Sequence, residues 1–289
     1  MHRFFCPQAD FSHPEIILTE KKEIHHLRNV LRLKENDLIC VFNERHEEAE
    51  GRIFSITSQE VSVRIQKVKI NKTKFPQIIL ACALPKKGKF ELIIEKVTEL
   101  GVDEIIPMVT KRTEVLLEGK RREEKLKRFK AVALNAAKQS KRTTIPVIHP
   151  ITSFKDALSL LTLQPVPPSG GTGRVPPHGR KEFGATPACR NAALRRAGTG
   201  FSPWGSTKTS TVFIPSLLLE RENLLKALGQ TSKPEKISFL IGPEGDFTQE
   251  EYLEAQKMGC IPVSLGETIL KVETAAICAV ACANIFYEH

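Results

Sequence analysis

Two apolar stretches near the C-terminus end in glycine turns whose main chain could bind a ligand. The first, "LIGPEGDF", covers 240–247 and stops at Gly242; the second, "IPVSLG", covers 261–266 and stops at Gly266. In a parallel α/β sheet, ligands bind at the carboxyl ends of the strands. Bare N–H and C=O groups there can hold an adenine edge without obstruction by side chains. Glu244, inside the first turn, can accept a hydrogen bond from a ligand hydroxyl or amine, or it can simply be solvated.

These turns lack the lysine of a nucleoside triphosphate loop and the G-x-G-x-x-G spacing of a dinucleotide site. A single glycine turn is usually only a turn. Two of them, one strand apart, favour a ligand of another class. Thr248 and Glu251 form an S/T-x-x-E capping box, which predicts that a helix begins near Gln249.

A strand–helix alternation that starts at residue 76 must position these turns, and it predicts a parallel sheet with helices on both faces. The predicted strands are 77–84, 104–109, 146–150, 211–215, 236–242 and 261–266. The predicted helices are 89–101, 121–140, 220–228, 249–258 and one from about 274. The longest apolar run, 275–287, is too short to cross a bilayer and predicts a buried helix instead.

Before residue 70 the hydrophobic pattern mostly has a period of two, which predicts a small β-barrel. Its strands are expected at 38–42, 52–56 and 61–65, with one helix from about Thr19 to Leu33. On that helix His25, Arg28 and Arg32 are predicted to share a face. This face is either a solvated basic surface or a surface that contacts RNA phosphates.

The net charge of +10 is unevenly distributed. The segment 164–210 holds seven basic residues and one acidic residue, so it supplies +6 of the total, and it contains seven of the 18 prolines and eight of the 17 glycines. Such a composition predicts a disordered insertion. Nucleic-acid binding therefore cannot be inferred from the overall charge alone.

The seven cysteines include no C-x-x-C pair, which disfavours a disulfide framework or a zinc site. Cys278 and Cys282 lie four residues apart and are predicted to be buried thiols. The N-terminus has no apolar signal segment. We therefore expect a cytoplasmic protein without a metal and without a membrane segment.

Several motifs resemble those of one family and occur in the same order as in that family. They are "HLRNVLRLKENDLICVFN", "LPKKGKFELIIEKVTELGV", "AAKQSKRTTIP", "LIGPEGDFTQEE" and "SLGETILKVETAA". The chain is similar to the bacterial RsmE family, which are 16S ribosomal RNA uridine N3-methyltransferases of the SPOUT superfamily. The resemblance covers nearly everything except the segment 164–210.

The resemblance implies an α/β fold: a C-terminal SPOUT-type trefoil-knotted parallel sheet with an N-terminal PUA-like β-barrel. The domains would be 1–72, the RNA-binding barrel, and 73–289, the methyltransferase domain, with 164–210 as an insertion in the latter. The resemblance also implies S-adenosylmethionine as cofactor, 16S rRNA within the small ribosomal subunit as substrate, and a homodimer.

The family's site residues carry over to matching positions of this sequence. The cofactor-binding set is Leu240, Ile241, Gly242, Pro243, Glu244, Gly245, Leu265, Gly266, Ile269, Leu270, Thr274 and Ala275. The RNA-binding set is His26, Arg32, Gln139 and Arg142, with Arg28 added because it shares the basic helix face. Arg112 is a further RNA-side match, and it forms the candidate catalytic set together with Lys271 and Glu273.

The sequence departs from the family pattern at several of these positions. Asp246 stands where a second glycine is usual, Thr268 and Lys271 stand where arginines are usual, and Lys138 stands where an acid is usual. A weakened or altered hold on RNA is one expected consequence, because lysine keeps the charge of arginine but not its bidentate fork.

Methylation at N3 requires loss of the N3 proton and stabilisation of the anion that forms. Lys271 or Arg112 is the hypothesised cation for that anion, and bulk water or Glu273 the proton acceptor. Glu273 can instead favour a helix N-terminus.

Two other functions remain open at this point. One is a non-catalytic RNA-binding protein for ribosome assembly. The other is a methyltransferase of the same fold that acts on another RNA or on ribose 2′-O. The basic stretch 121–142 is likewise either an RNA-backbone track or a solvated helix face.

Overall fold

The computed structural model describes residues 1–70, 76–114, 119–162, 210–217, 221–231 and 234–288. The predicted domain boundary at residues 72 and 73 lies outside the described residues. So does the predicted insertion, apart from its last residue, Ser210, which begins a strand.

The N-terminal part of the chain forms a mixed five-stranded sheet. Its strands are β1 (His2–Phe5), β2 (Glu15–Leu18), β3 (Leu38–Phe42), β4 (Glu47–Ile56) and β5 (Val61–Ile70). The order is β1-β3-β4-β5-β2, in which only the β1–β3 pair is parallel. Val61 and Val63 are buried, whereas Arg64 is exposed. The prediction of strands with a hydrophobic period of two is therefore confirmed. β1 and β2 were not predicted, because strands of four residues show too little alternation to identify.

The N-terminal helix differs from the prediction. It begins as α1 (Lys21–His25) and continues as one π-helical turn, His26–Val30. Ile24 and Leu27 are buried beneath it, as expected for its apolar side. Arg32 lies beyond the helix with φ of +54°, so the prediction that it shares a helical face with His25 and Arg28 is wrong. A π-helical turn has more residues per turn than an α-helix, and Arg32, with its left-handed φ, lies past the end of the helix. The three side chains therefore do not share one helical face.

The rest of the chain forms a parallel eight-stranded sheet. Its strands are β6 (Gln77–Ala83), β7 (Glu104–Val109), β8 (Val147–Ile148), β9 (Thr152–Ser153), β10 (Ser210–Pro215), β11 (Glu222–Asn223), β12 (Lys236–Ile241) and β13 (Ile261–Ser264). The order is β11-β13-β10-β12-β6-β7-β8, with β9 also paired to β7. β10 therefore lies between β12 and β13, so the two glycine turns, which follow successive strands in the sequence, lie on either side of β10 at one edge of the sheet.

Helices cover both faces of this sheet, as predicted. They are α2 (Phe90–Glu99), α3 (Gly119–Gln139), α4 (Phe154–Thr162), α5 (Leu224–Gln230), α6 (Gln249–Lys257) and α7 (Val272–Glu288). On one face, α2, α3, α5 and α7 share a core in which the rings of Phe90 and Phe129 lie 4.9 Å apart. On the other face, α4 and α6 pack on a second core around Phe154 and Phe247, whose rings are 5.4 Å apart.

One helix was not predicted, and two helices begin at other residues than predicted. α4 was not predicted. α5 begins at Leu224 rather than near 220, because Asn223 caps it by accepting a 2.9 Å hydrogen bond from the Leu225 N–H. α7 begins two residues before the predicted start at Thr274.

The last helix is buried on one face only. Ala276, Ala279 and Ala283 are fully buried, whereas Ile285 is 60% exposed. Cys278 and Cys282 are half-buried, with their sulfur atoms 4.0 Å apart, so the prediction of buried thiols is wrong. The reason is that α7 is an outer layer, and its inward face is formed by other residues, namely Val272, Ala276, Ala279, Val280 and Ala283.

The predicted capping box at the start of α6 is present. Glu251 is buried, and its carboxylate accepts hydrogen bonds from the main-chain N–H of Thr248 at 2.8 Å and of Lys111 at 2.9 Å. One side chain thus caps α6 and also fastens the turn after β7 to it.

Replacing Glu251 by alanine leaves these two N–H donors without an acceptor. We expect the free energy of unfolding to fall by about 2–3 kcal/mol, the usual loss for hydrogen bonds to a charged group. Urea denaturation measures it. Glu250→Ala is the matched control, since the exposed Glu250–Lys111 ion pair contributes less than about 1 kcal/mol. Equal effects of the two variants would contradict the assigned role of Glu251.

Candidate cofactor pocket and RNA-facing residues

The carboxyl ends of β10, β12 and β13 surround a cavity of about 280 Å³. This volume is near the lower end of the range for small-molecule sites, about 300–1,000 Å³. The lining residues are Pro215, Ser216, Leu217, Arg221, Ile241, Gly242, Pro243, Glu244, Asp246, Val263, Ser264, Leu265, Gly266, Thr268, Ile269, Leu270, Lys271, Val272 and Ala275.

The loop after β12 forms one wall of the cavity. Phe247 is fully buried beneath this loop, and a Cβ added at Gly242 would lie 3.2 Å from its ring. Asp246 has φ of +61°, a conformation that favours glycine, which is the residue expected there from the resemblance. Its carboxylate accepts a 2.6 Å hydrogen bond from the hydroxyl of Tyr252 and a 2.8 Å bond from the Phe247 N–H. These bonds stabilise an aspartate in a position that is otherwise strained.

The turn after β13 forms the facing wall. Gly266 has φ of +135°, which side-chain-bearing residues rarely adopt, and a Cβ built there would meet no atom within 4 Å. The Ser264 hydroxyl donates to the Gly266 carbonyl at 2.8 Å and accepts from its N–H at 3.2 Å. Glycine is therefore required by the backbone conformation.

Glu244 lies in the cavity wall and is partly engaged. Its Oε1 accepts a 2.8 Å hydrogen bond from the main-chain N–H of Lys86, in the turn after β6. This contact fixes the direction of the carboxylate, and the other oxygen can still meet a ligand donor.

Arg112 supports the same loop from outside the cavity lining. Its Nη1 donates to the carbonyl of Gly245 at 2.6 Å and to that of Phe247 at 3.3 Å. The predicted catalytic residue thus holds the main chain of the loop after β12.

The other two predicted catalytic residues differ in their surroundings. Lys271 is exposed and lines the cavity. Glu273, in the first turn of α7, lies outside the lining and accepts a 2.6 Å hydrogen bond from Lys89 Nζ. The Lys89 ammonium lowers the pKa of Glu273, which makes its carboxylate a weaker proton acceptor.

Nine of the twelve predicted cofactor residues line the cavity, and three do not. Leu240 is fully buried in the second core, Gly245 lies against Arg112, and Thr274 is exposed on α7.

A third contribution to this site was not predicted from the sequence. Pro215, Ser216, Leu217 and Arg221 come from the end of β10 and the segment after it. Arg221 donates to the carbonyl of Ser216, which orients its guanidinium at the cavity wall. The predicted strand 211–215 was the available signal for these residues. Like the two strands that precede the glycine turns, it ends at the carboxyl edge of the parallel sheet, where ligands bind.

The predicted RNA-binding residues lie in two places. His26, Arg28 and Arg32 are exposed on the N-terminal domain, and Gln139 is exposed at the end of α3. Arg142 is different, because its side chain is only 13% exposed. Its guanidinium donates to the carbonyls of Thr98 at 2.8 Å and Val102 at 2.7 Å, and to the Thr144 hydroxyl at 2.9 Å.

The described part of the chain contains no candidate metal site and no candidate membrane helix. Within the ranges given above, no three His, Cys, Asp or Glu side chains gather in a way that could hold a metal ion. None of the helices in those ranges is both long enough and apolar enough to span a membrane.

The fold and the cavity define an α/β protein with a cavity of small-molecule size at the carboxyl edge of a parallel sheet, next to a separate β-domain. The protein-family model described as the RNA methyltransferase domain matches residues 71–165 and 206–284. The family model described as the RNA methyltransferase PUA domain matches residues 18–66. The chain belongs to this family of RNA methyltransferases.

Individual relatives agree with this assignment. The chain is 27% identical to ribosomal RNA small subunit methyltransferase E of Mesomycoplasma hyopneumoniae, over 96% of each chain. It is 25% identical to the protein of the same name from Bacillus subtilis, over 90% of this chain and 86% of the relative. The resemblance stated from the motifs is confirmed.

Solved structures share the fold. The Neisseria gonorrhoeae ribosomal RNA small subunit methyltransferase E, bound to S-adenosyl methionine, superposes with a TM-score of 0.73 at 24% identity, over 99% of this chain and 98% of that one. A probable rRNA-methyltransferase from Porphyromonas gingivalis gives 0.70 at 20% identity, over 100% and 99%. The predicted fold class is confirmed.

Substituting Arg142 by methionine distinguishes a structural role from a role in RNA binding. We expect the free energy of unfolding to fall by about 2–3 kcal/mol, because buried carbonyls lose a charged donor. Denaturant unfolding measures the change. The exposed neighbour substitution Lys141→Gln should change stability by less than about 0.5 kcal/mol. If both variants unfold alike and only the arginine variant loses RNA affinity, Arg142 acts on RNA and not on the fold.

Proposed function

We propose that this chain transfers the methyl group of S-adenosylmethionine to N3 of a uridine in 16S ribosomal RNA of the small ribosomal subunit. The observation that carries the proposal is the cavity walled by main chain at the ends of β10, β12 and β13. The names of the relatives support ribosomal RNA of the small subunit as substrate. The bound ligand of the Neisseria neighbour supports the cofactor.

The residues at the cavity fit S-adenosylmethionine. Gly266 keeps one wall free of side-chain atoms within 4 Å of where a Cβ would be, so a flat ring can approach the main chain. Leu265, Ile269 and Leu270 supply apolar surface on the same side. The cation Arg221 and the anion Glu244 provide both charges that a ligand with a carboxylate and an ammonium group needs.

When bound, the cofactor supplies a methyl group on a positively charged sulfur. The protein must then hold the uracil against the cavity mouth and stabilise the negative charge that develops on its oxygens. Among the described residues, two cations line this cavity. Arg221 donates to the Ser216 carbonyl, whereas Lys271 is exposed to an incoming base, so we assign this role to Lys271. Arg112 is assigned to positioning the loop after β12.

We assign the uridine N3 proton to solvent rather than to Glu273, because Glu273 lies outside the cavity lining and accepts a hydrogen bond from Lys89. Lys89 pairs with Glu273 and lowers its pKa, so that Glu273 has little tendency to take the uridine N3 proton. The exposed rim of the cavity gives water access instead. Glu273 is assigned to fixing the start of α7, which carries Ala275 into the cavity wall.

The proposal includes the domain division and the assembly. Residues 1–72 would bind RNA and 73–289 would bind the cofactor. Exposed apolar side chains of the second domain support a homodimer: Leu225 of α5 is 53% exposed, Ile269 is 78% exposed and Ile285 of α7 is 60% exposed. A substrate in the small ribosomal subunit would place the protein in the cytoplasm.

Calorimetry and nucleoside analysis test the function together. We expect the full chain to bind S-adenosylmethionine and to transfer labelled methyl to small-subunit RNA, recovered as 3-methyluridine by mass spectrometry. Gly266→Val is the control, because strain of about 1–3 kcal/mol at a positive φ should lower cofactor affinity about tenfold or more. Label on ribose 2′-O would overturn the assigned atom. Failure to bind the cofactor would favour a non-catalytic RNA-binding protein.

Lys271→Ala tests the assigned catalytic cation. We expect kcat to fall about a hundredfold, the usual loss when one donor to a developing anion is removed, while the Kd for S-adenosylmethionine changes less than about threefold. Lys271→Arg should retain most of the turnover because it keeps the charge. Equal losses of kcat and cofactor affinity in the alanine variant would assign Lys271 to the cofactor instead.

A further inference from the structure

A charged pair joins the N-terminal domain to the methyltransferase domain. Lys138, near the end of α3, donates through Nζ to Glu23 Oε1 of α1. The Lys138 side chain is 17% exposed and that of Glu23 is 10% exposed. The two residues are 115 positions apart in the sequence, so this contact exists only when the two domains are docked.

A second polar contact lies at the same end of α3. Arg3 of β1 donates through Nη2 to the carbonyl of Arg142 at 3.1 Å, and through Nη1 to Glu48 at 2.9 Å. Both contacts from the N-terminal domain therefore reach the segment 138–142. This segment is itself fixed, because the Arg142 guanidinium donates to the carbonyl of Thr98 in the last turn of α2 and to that of Val102 just after it.

The same layer of helices extends to the cavity. α2 packs against both α3 and α7. Lys89, just before α2, pairs with Glu273 in the first turn of α7, next to the lining residues Lys271 and Val272. The end of α3 thus has a fixed position relative to the cavity, and a contact on that end sets where the N-terminal domain lies.

A buried ion pair specifies geometry better than it adds stability. Its attraction is largely offset by the loss of hydration, whereas an unpaired buried charge is costly. Glu23 Oε2 has no hydrogen-bond partner among the described residues, so the Lys138 ammonium is the hydrogen-bonded partner of this carboxylate. Any shift of the domains that separated the pair would leave Glu23 without it.

We propose that Glu23 and Lys138 are positioning residues that hold the RNA-binding domain at one orientation to the methyl-transfer cavity. RNA held by the exposed His26 and Arg28 would then present its target base at the cavity mouth. The inference rests on the proposed function. It also accounts for a lysine at position 138, where the resemblance leads one to expect an acid, because Glu23 supplies the acid of the pair.

Charge reversal tests the pair. Lys138→Glu places two carboxylates together, and Glu23→Lys places two ammonium groups together. We expect each single variant to lower kcat/KM for small-subunit RNA about tenfold or more, with the Kd for S-adenosylmethionine unchanged. The double variant Glu23→Lys/Lys138→Glu should return kcat/KM to within about threefold of the starting protein, since it restores the pair. A residue needed only for stability would change cofactor binding as well.

Hydrogen exchange gives a second readout that needs no activity. Amides of segments 20–27 and 136–142 should exchange faster in each single variant and return to slow exchange in the double variant. Lys155 and Glu254, an exposed pair within the methyltransferase domain, provide the matched control swap. Neither its single nor its double reversal should alter exchange at the junction.

The outcomes separate this inference from the proposed function. Absence of methyl transfer by the unaltered protein would overturn the function, and the exchange measurement would still decide the role of the pair. Failure of the double variant to restore slow exchange would overturn the pairing. Restored exchange without restored kcat/KM would mean that Lys138 contacts RNA itself, which also overturns the inference. If Lys138→Glu is insoluble, Lys138→Met removes the ammonium without repulsion, and its exchange should rise at the same segments.

Discussion

The loop after β12 depends on parallel pairing, because that pairing brings the ends of neighbouring strands to one edge. β6 and β10 flank β12, and β7 and β13 lie one strand further out on either side. The turns after β6 and β7 hold the loop from one side: the Lys86 N–H bonds Glu244, and Arg112 bonds the carbonyls of Gly245 and Phe247. The ends of β10 and β13 face it across the cavity. The loop is therefore fixed on one side by hydrogen bonds and open to a ligand on the other.

Such an arrangement suits a ligand that is recognised by its edges. Main-chain groups held by their neighbours are preorganised, so little conformational entropy is lost when a ligand binds. The same fixation explains why charged residues near the site have structural partners. Arg112, Glu244 and Glu273 each bond another part of the protein. Lys271 is exposed at the cavity, and it is the residue whose charge the proposed reaction can use with the least rearrangement.

The sequence predicts helices and strands that have a long periodic pattern of hydrophobic residues. Prediction fails for elements whose geometry depends on a few contacts. The parallel sheet, α2, α3 and α6 follow from hydrophobic runs, a capping box and glycine stops. The four-residue strands β1 and β2 carry too few residues for such a signal. The π-helical turn, after which Arg32 does not lie on the predicted face, depends on local backbone geometry. No residue pattern in the sequence indicates it. In the site, the two glycine turns were found from their own sequence. Arg221 was missed because its place at the cavity depends on β10 lying between β12 and β13, which is a property of strand order.

This chain departs from the family pattern at four positions. At some of them, other contacts in the structure compensate for the changed residue. Asp246 adopts a glycine-like φ, and the hydroxyl of buried Tyr252 stabilises its carboxylate, so the turn keeps its course. Lys138 has Glu23 opposite it. Lys271 keeps a cation at the cavity wall, with fewer donors than arginine offers. Thr268 also lines the cavity, but nothing in the structure explains the loss of an arginine there. Three of the four departures thus leave the geometry or the charge of the site intact, which is the pattern expected of a chain that still binds its cofactor and presents RNA to it.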